Sequence, residues 1–433
     1  MHLAAFLIAG NAAHSQALWL HPQSRRGGFL ELDYYLHIAR TLERGKFDLL
    51  FFADRLAVST RYGDSHLHGL YVGDQDATRL DPLPILGALA AATSHIGLGA
   101  TRSTTYSQPY SLAREFATLD HLSGGRAAWN VVTSVNQGEA DNFGLKETLP
   151  HDVRYDRADE FLEVTHKLWH SWQPDALRLQ QDRYADADKV AAIDHQGAHF
   201  SVRGPLNIPA SPQGHPVIIQ AGSSDRGQDF AARWAEVVFN IQPDLPRLQA
   251  FYRDLKNRAQ QFGRRPQDIR ILSAVMPFVG QSRQHAQELQ EQANALADPL
   301  VGLSTLSSHM NVDFSGFALD APLGDVQVSG IQGLFKLLRA ISAERQLTLA
   351  DAGRLYAQGV LTPQIAGTAA DVADWLQSII AANGADGFVI SPSHLPYGFD
   401  DFVDQVIPEL QRRGAFRQDY AGRQLRQHLA ASP

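Results

Sequence analysis

The sequence predicts an α/β protein, a (β/α)8 TIM barrel with insertions. Eight short apolar runs alternate with longer amphipathic stretches, the pattern of repeated βα units around a parallel sheet. Parallel strands joined through helices cross over right-handedly, so eight in series close naturally into a barrel. At 433 residues the chain exceeds the roughly 250 of a plain barrel, and three stretches between runs are longer than a βα loop needs. An open doubly wound sheet is the alternative arrangement of the same units.

The first run, residues 3–10 (LAAFLIAG), has strand length; a signal-peptide core would follow a positive leader, and only His2 precedes the apolar stretch. A helix over 34–44, with apolar residues at three- and four-residue spacing, leads to the second run, 48–53 (DLLFFA). The third run is 96–101 (IGLGAT), followed by a helix over 111–120 and the fourth run, 127–133 (AAWNVVT). A helix over 152–172 precedes the fifth and sixth runs, 217–221 (VIIQA) and 237–241 (VVFNI). A helix over 246–261, the seventh run at 269–279 (IRILSAVMPFV), the eighth at 387–391 (GFVIS) and a helix over 399–413 complete the series. Residues 1–433 are read as a single domain with insertions at about 55–80, 173–216 and 281–368, because no internal repeat or low-complexity linker sets any of them apart.

Composition narrows the function. The 38 basic and 46 acidic side chains give a net charge of -8 with no basic block, so neither nucleic acid nor an anionic membrane is an expected partner. Small molecules are then the default ligands. No apolar run approaches the roughly 18 residues of a membrane span, and a cytoplasmic protein is expected. The absence of cysteine removes disulfides, thiolate nucleophiles, Cys-ligated zinc and iron–sulfur clusters.

In a barrel the chemistry sits at the carboxyl ends of the strands. Asp54 follows the second run, Thr101 and Ser103 end the third, Thr133 and Ser134 the fourth, and Gly222-Ser223-Ser224 the fifth. These small, mostly uncharged groups offer hydrogen bonds rather than metal coordination, which suits a large polar cofactor. In HDVRYDRADEFLEV, Asp152 reads as an N-cap and Tyr155 lies four residues beyond His151, so imidazole and phenol share a face near a helix N-terminus, a natural seat for phosphate. Ser223 and Ser224 form a second such seat; the plainer alternative is a capped helix and a routine turn. His66-x-His68 has metal-site spacing, yet no carboxylate-histidine set accompanies it at the other strand ends, so both read as loop histidines. Trp169 and Trp172 read as core.

Taken together, KFDLLFFADRLA, the long stretch from DPLPILGALAAATSHIGLGATRSTTYSQPYSLAREFATLDHLSGG to RAAWNVVTS, NFG at 142–144, HDVRYDRADEFLEV, HPVIIQAGSSDRGQDFAARWAEVVF and DGFVISPSHLP resemble the bacterial luciferase-like flavin-dependent monooxygenases. The similar branch holds the nitrilotriacetate, dibenzothiophene sulfone, pristinamycin synthase and long-chain alkane monooxygenases. The resemblance implies a luciferase-like barrel that takes FMN, supplied reduced by a separate NAD(P)H-dependent flavin reductase, and uses dioxygen to hydroxylate or cleave a small substrate beside nitrogen or sulfur. It implies that Asp54 and Thr101 line the flavin with Asn130 and Thr133 as neighbours, that His151 and Tyr155 are a flavin-binding pair, and that Ser223 and Ser224 lie near its phosphate. A barrel in general would seat phosphate after strands seven and eight; the family motif seats it after four and five. His14, Trp19 and His21-Pro22 resemble a segment bordering the active site, where His14 is the candidate catalytic residue because imidazole titrates near neutral pH. A homo-oligomer, dimer or tetramer, is expected. Residues 281–368 match no quoted motif and are expected to cover the mouth. A non-catalytic flavin-binding barrel, a metal-dependent barrel hydrolase and a deazaflavin-using reductase are the competing readings.

Overall fold

The computed structural model describes residues 1–324 and 326–430. Eight parallel strands form a closed barrel: β1 His2–Ile8, β2 Leu49–Ala53, β3 Gly97–Ser103, β4 Ala127–Val132, β5 Val217–Gln220, β6 Val237–Asn240, β7 Arg270–Val279 and β8 Gly387–Ile390. Neighbours pair in sequence order, and β8 closes on β1 with Leu3 opposite Phe388. Each apolar run of the sequence yields one of these strands. A further short strand, Gln364–Gly367, pairs with the upper half of β7, with Phe278 opposite Ala366. It was not expected, because QIAG has little apolar content. β7 supplies the physical reason for it: its ten residues outrun β6 and β8, and the buried backbone groups left over need a partner.

The helices differ from the expected ones mainly at their ends. The helix after β4 runs His151–Trp169, with Pro150 rather than Asp152 at its N-cap. The carbonyl of Pro150 accepts the amide of Arg154 at 3.0 Å, which winds His151 into the first turn. The last barrel helix is interrupted by a wide turn over Phe402–Val406 before Ile407–Arg412. Pro408 follows that turn; it lacks an amide hydrogen and its ring crowds the carbonyl four residues back, so the helix opens there. At the amino end of the barrel, Leu425 and Leu429 from the helix Leu425–Ala430 pack beneath Leu49, Val217 and Val237.

The second insertion forms two small antiparallel hairpins, Leu177–Gln180 with Arg183–Ala185 and His195–Gln196 with Ser201–Val202. The first and third meet on the rim. Helix Pro299–Met310 is buried at every position from Val301 to Met310. It crosses helix Leu349–Gly359 at Gly302, where a Cβ would lie 1.7 Å from the Gly353 carbonyl oxygen, so no larger residue fits. Arg55 donates from Nη1 to Asp76 at 2.8 Å and to Ser308 Oγ at 2.9 Å. Arg79 reaches Asp76 at 2.6 Å, and Ser304 donates to Asp74 at 2.6 Å. Burial alone would raise the Asp76 carboxyl, but Arg55 and Arg79 outweigh it and hold it at about 2.

Candidate active site

The carboxyl end of the barrel opens into a cavity of about 470 Å³. Phe6, Phe51, Asn130, Phe239 and Asn240 supply its strand-borne wall. Its roof is the helix Gln332–Arg345 of the third insertion, which contributes Leu334 and Leu337. Among the described residues, four polar side chains of the cavity hold buried atoms without a partner: Nδ1 of His14, Oδ1 of Asn130, Oε1 of Gln228 and both amide atoms of Asn240. Such atoms cost about 1–3 kcal/mol each when left unmet, and native proteins tolerate them where a ligand completes the set.

Thr101 and Asn130 come together here. The Asn130 amide donates to Thr101 Oγ1 at 2.9 Å, and Thr101 donates to the Phe52 carbonyl at 3.1 Å. A second cluster gathers His151, Tyr155, Ser224 and Thr133. His151 Nε2 lies 3.1 Å from Ser224 Oγ, which accepts the amide of Gly227 at 3.1 Å and so caps the helix Asp225–Trp234. The rings of His151 and Tyr155 are 5.1 Å apart, as their four-residue spacing requires. Burial raises the Tyr155 phenol, and hydrogen bonds with Ser224 and Thr133 offset part of the rise. Ser223 joins this cluster to the cavity, where the roof helix begins directly against it: a Cβ on Gly333 would lie 1.8 Å from Ser223 Oγ.

Sequence reasoning missed Arg154. It is 3% exposed, its Nε has no partner, and no carboxylate pairs with it among the described residues. Burial pulls its pKa below the ordinary guanidinium value. An unpaired buried cation costs several kcal/mol, so this position calls for an anion, in the same helical turn as His151 and Tyr155. The available signal was its place three residues after His151, on the same helical face.

Asp54 stands apart from both clusters. Its carboxylate lies 3.2 Å from Arg102 Nη1, accepts the Arg55 amide at 2.9 Å, and faces a separate polar cavity of about 370 Å³ beside Asp76 and Arg79; its neighbour Ala53 lines the main cavity. Burial, opposed by Arg79 and Arg102, pushes its pKa up to about 6. The folded chain therefore binds this proton more tightly than the unfolded chain, and stability falls as pH rises from about 4 to about 6. Asp54→Asn mimics the protonated form and should be about 2 kcal/mol more stable than wild type at pH 7.5, with the difference gone near pH 4. Urea unfolding at the two pH values checks this; a pH-independent difference would refute it.

His14 packs face to face with Phe6, ring centroids 3.7 Å apart. Burial lowers its pKa to about 3, which corrects the expectation of titration near neutrality: the imidazole is neutral. His21 instead stacks on His394 at 4.7 Å and lines a different cavity. His66 and His68 lie on a short helix, His66–Val72, rather than in a loop, and His68 Nε2 faces the Leu300 carbonyl at 3.3 Å. Trp169 is core and donates to the Ala113 carbonyl at 3.0 Å; Trp172 lies beyond the helix end, bonded to the Leu206 carbonyl at 2.7 Å. Among the described residues no helix is long and apolar enough to cross a membrane.

Comparison with known proteins agrees with this geometry. The model of the luciferase-like monooxygenase family matches residues 5–387. The chain is 50% identical over 436 residues to dibenzothiophene-sulfone monooxygenase of Rhodococcus erythropolis (strain XP), covering 99% of this chain and 96% of that protein. It is 40% identical over 418 residues to nitrilotriacetate monooxygenase component A of Aminobacter aminovorans, covering 95% and 92%. A solved riboflavin lyase with modified FMN and substrate riboflavin superposes with a TM-score of 0.91 at 33% identity, over 99% of this chain and 95% of that one. The chain thus belongs to the luciferase-like monooxygenase family and is a flavin-dependent monooxygenase.

Proposed function

We propose that the chain is the oxygenase component of a two-component system, taking reduced FMN from a separate NAD(P)H-dependent flavin reductase and inserting one atom of dioxygen beside a sulfur or nitrogen atom of a small substrate. Arg154 carries the choice of FMN: a buried cation without a counter-charge fits a phosphate, which riboflavin lacks. The word "component" in the name of the nitrilotriacetate relative and the FMN in the riboflavin lyase structure support the reading.

Bound reduced FMN supplies the electrons that activate dioxygen. The chain does the rest. Arg154, His151, Ser223 and Ser224 would hold the phosphate, with Tyr155 bracing Ser224 and Thr133. Asn130, fixed by Thr101, would offer its free Oδ1 to the flavin. Asp54 sets the end of β2 against Arg102 next to Ala53 on the cavity wall. Phe6, Phe51 and Phe239 exclude water from the reacting atoms. His14, neutral and with an unpartnered ring nitrogen, would offer one donor or one acceptor to a ligand in the cavity.

The purified chain given FMN and NADH should oxidise NADH at no useful rate, and an oxygenated product should form only when a competent flavin reductase and an organosulfur substrate are both added. Robust NADH oxidation by the chain alone would contradict the two-component reading. Reduced-FMN binding without an oxygenated product would favour a non-catalytic flavin protein.

A further inference from the structure

We propose that Gln228 recognises the ribityl chain of the flavin: its open carboxamide oxygen accepts a hydroxyl there, so that the site selects a flavin by its polyhydroxylated chain as well as by ring and phosphate. The inference rests on reading the phosphate cluster and the cavity as two ends of one flavin site. Gln228 stands in the first turns of the helix Asp225–Trp234, its backbone amide bonded to the Ser224 carbonyl at 2.8 Å. Its side-chain Nε2 donates to the Ser223 carbonyl at 3.3 Å, while Oε1 is buried in the cavity wall without a partner. A carbonyl oxygen only accepts, so the end of the amide that faces Ser223 is the NH2. The end left open is therefore an acceptor.

That polarity and that position decide what it meets. An open buried acceptor calls for a hydroxyl or an N–H, and among the described residues no side chain supplies one, although Arg247 and Lys336 also line the cavity. Arg247 is bound to Asp244 and Glu344 instead. The other open amides of the cavity, Asn130 and Asn240, stand on the strands β4 and β6. Gln228 stands beside Ser223 and Ser224, between the phosphate cluster and the aromatic wall of Phe6, Phe51 and Phe239. A molecule with its phosphate at those serines and its rings against that wall passes its connecting chain along this edge. In FMN the connecting chain is the ribityl group, whose hydroxyls are donors. Sites built around a hydrogen bond reject the analogue lacking it, because their own polar group is then left unmet.

The test is binding without turnover, with three flavins that share one ring system: FMN, riboflavin, which lacks the phosphate, and lumiflavin, which carries a methyl in place of the ribityl chain. Each is titrated in reduced form, without oxygen, into wild type and Gln228→Leu. The substitution should weaken FMN and riboflavin by about tenfold each, the size of one neutral hydrogen bond together with the acceptor otherwise left open, and leave lumiflavin unchanged. Gln228→Ala should repeat the pattern. The melting temperature of either flavin-free variant should stay near wild type, because the one bond lost is long and the unmet acceptor goes with it. Equal losses for lumiflavin and riboflavin overturn the proposal, since the amide would then meet the ring. A loss confined to FMN overturns it in favour of the phosphate, and unchanged affinities for all three overturn it outright. Failure of wild type to bind any of the three would instead refute the flavin-dependent reading.

Discussion

Arg154→Met should weaken reduced FMN by about a hundredfold while leaving riboflavin nearly unchanged. Truncating one member of a desolvated charge pair costs about 2–5 kcal/mol, and each 1.4 kcal/mol is about tenfold in affinity. Methionine keeps most of the apolar stem and removes the charge. Without flavin the same substitution should raise the melting temperature, because a buried cation with no partner is replaced by a group that tolerates burial. Anaerobic titrations with the two flavins and a melting curve on flavin-free protein read both effects. A parallel loss for FMN and riboflavin would place Arg154 outside the phosphate site, and a lower melting temperature would show that it is structurally paired.

Asp76→Ala should cost about 3–5 kcal/mol of folding stability at pH 7, a large share of the roughly 5–15 kcal/mol by which domains are stable. The carboxylate is fully buried, and its removal strands Arg55 and Arg79, whose side chains are 12% and 9% exposed. The contribution depends on pH in a defined direction. The folded pKa of about 2 lies below the unfolded value, so the stabilisation is complete above about pH 4 and is lost as pH falls through 2. Urea unfolding of wild type and variant should differ at pH 7 and converge toward pH 2. Equal stability at pH 7 would show that the two guanidiniums find other partners.

The barrel was legible because parallel strands buried on both faces read as continuous apolar runs, of which DLLFFA and GFVIS are clear examples. Gln364–Gly367 was not, since its reason for pairing lies in the surplus length of β7 rather than in its own residues. The shared face of His151 and Tyr155 was legible from spacing along one helix, and Ser223-Ser224 as a second seat from its place before another, whereas their meeting at one site followed only from the family resemblance. Arg154 and Asn240 were hidden because their significance is the absence of a partner, which depends on everything packed around them. An arginine in a helix reads by default as solvated, and an asparagine at a strand end as a turn. Asp54 shows the complementary limit. Its position at the end of β2 was readable, but the direction of its carboxylate was fixed by Arg102 on the neighbouring strand.

The enclosed helix Pro299–Met310 also bears on how this scaffold can be recombined. The stretch that carries the roof helix Gln332–Arg345 lies between two residues in the left-handed conformation, Asn311 with φ 58°, which closes Pro299–Met310, and Gln346 with φ 52°, which closes the roof helix. Those two residues are natural crossover points. Exchanging the intervening stretch with that of a relative would renew the ceiling above Asn240 and leave Arg55, Asp76 and Ser308 in place. Junctions placed inside 299–310 would instead cut through Gly302 and its contact with Gly353, and such chimaeras should fail to fold before any change of specificity could be observed.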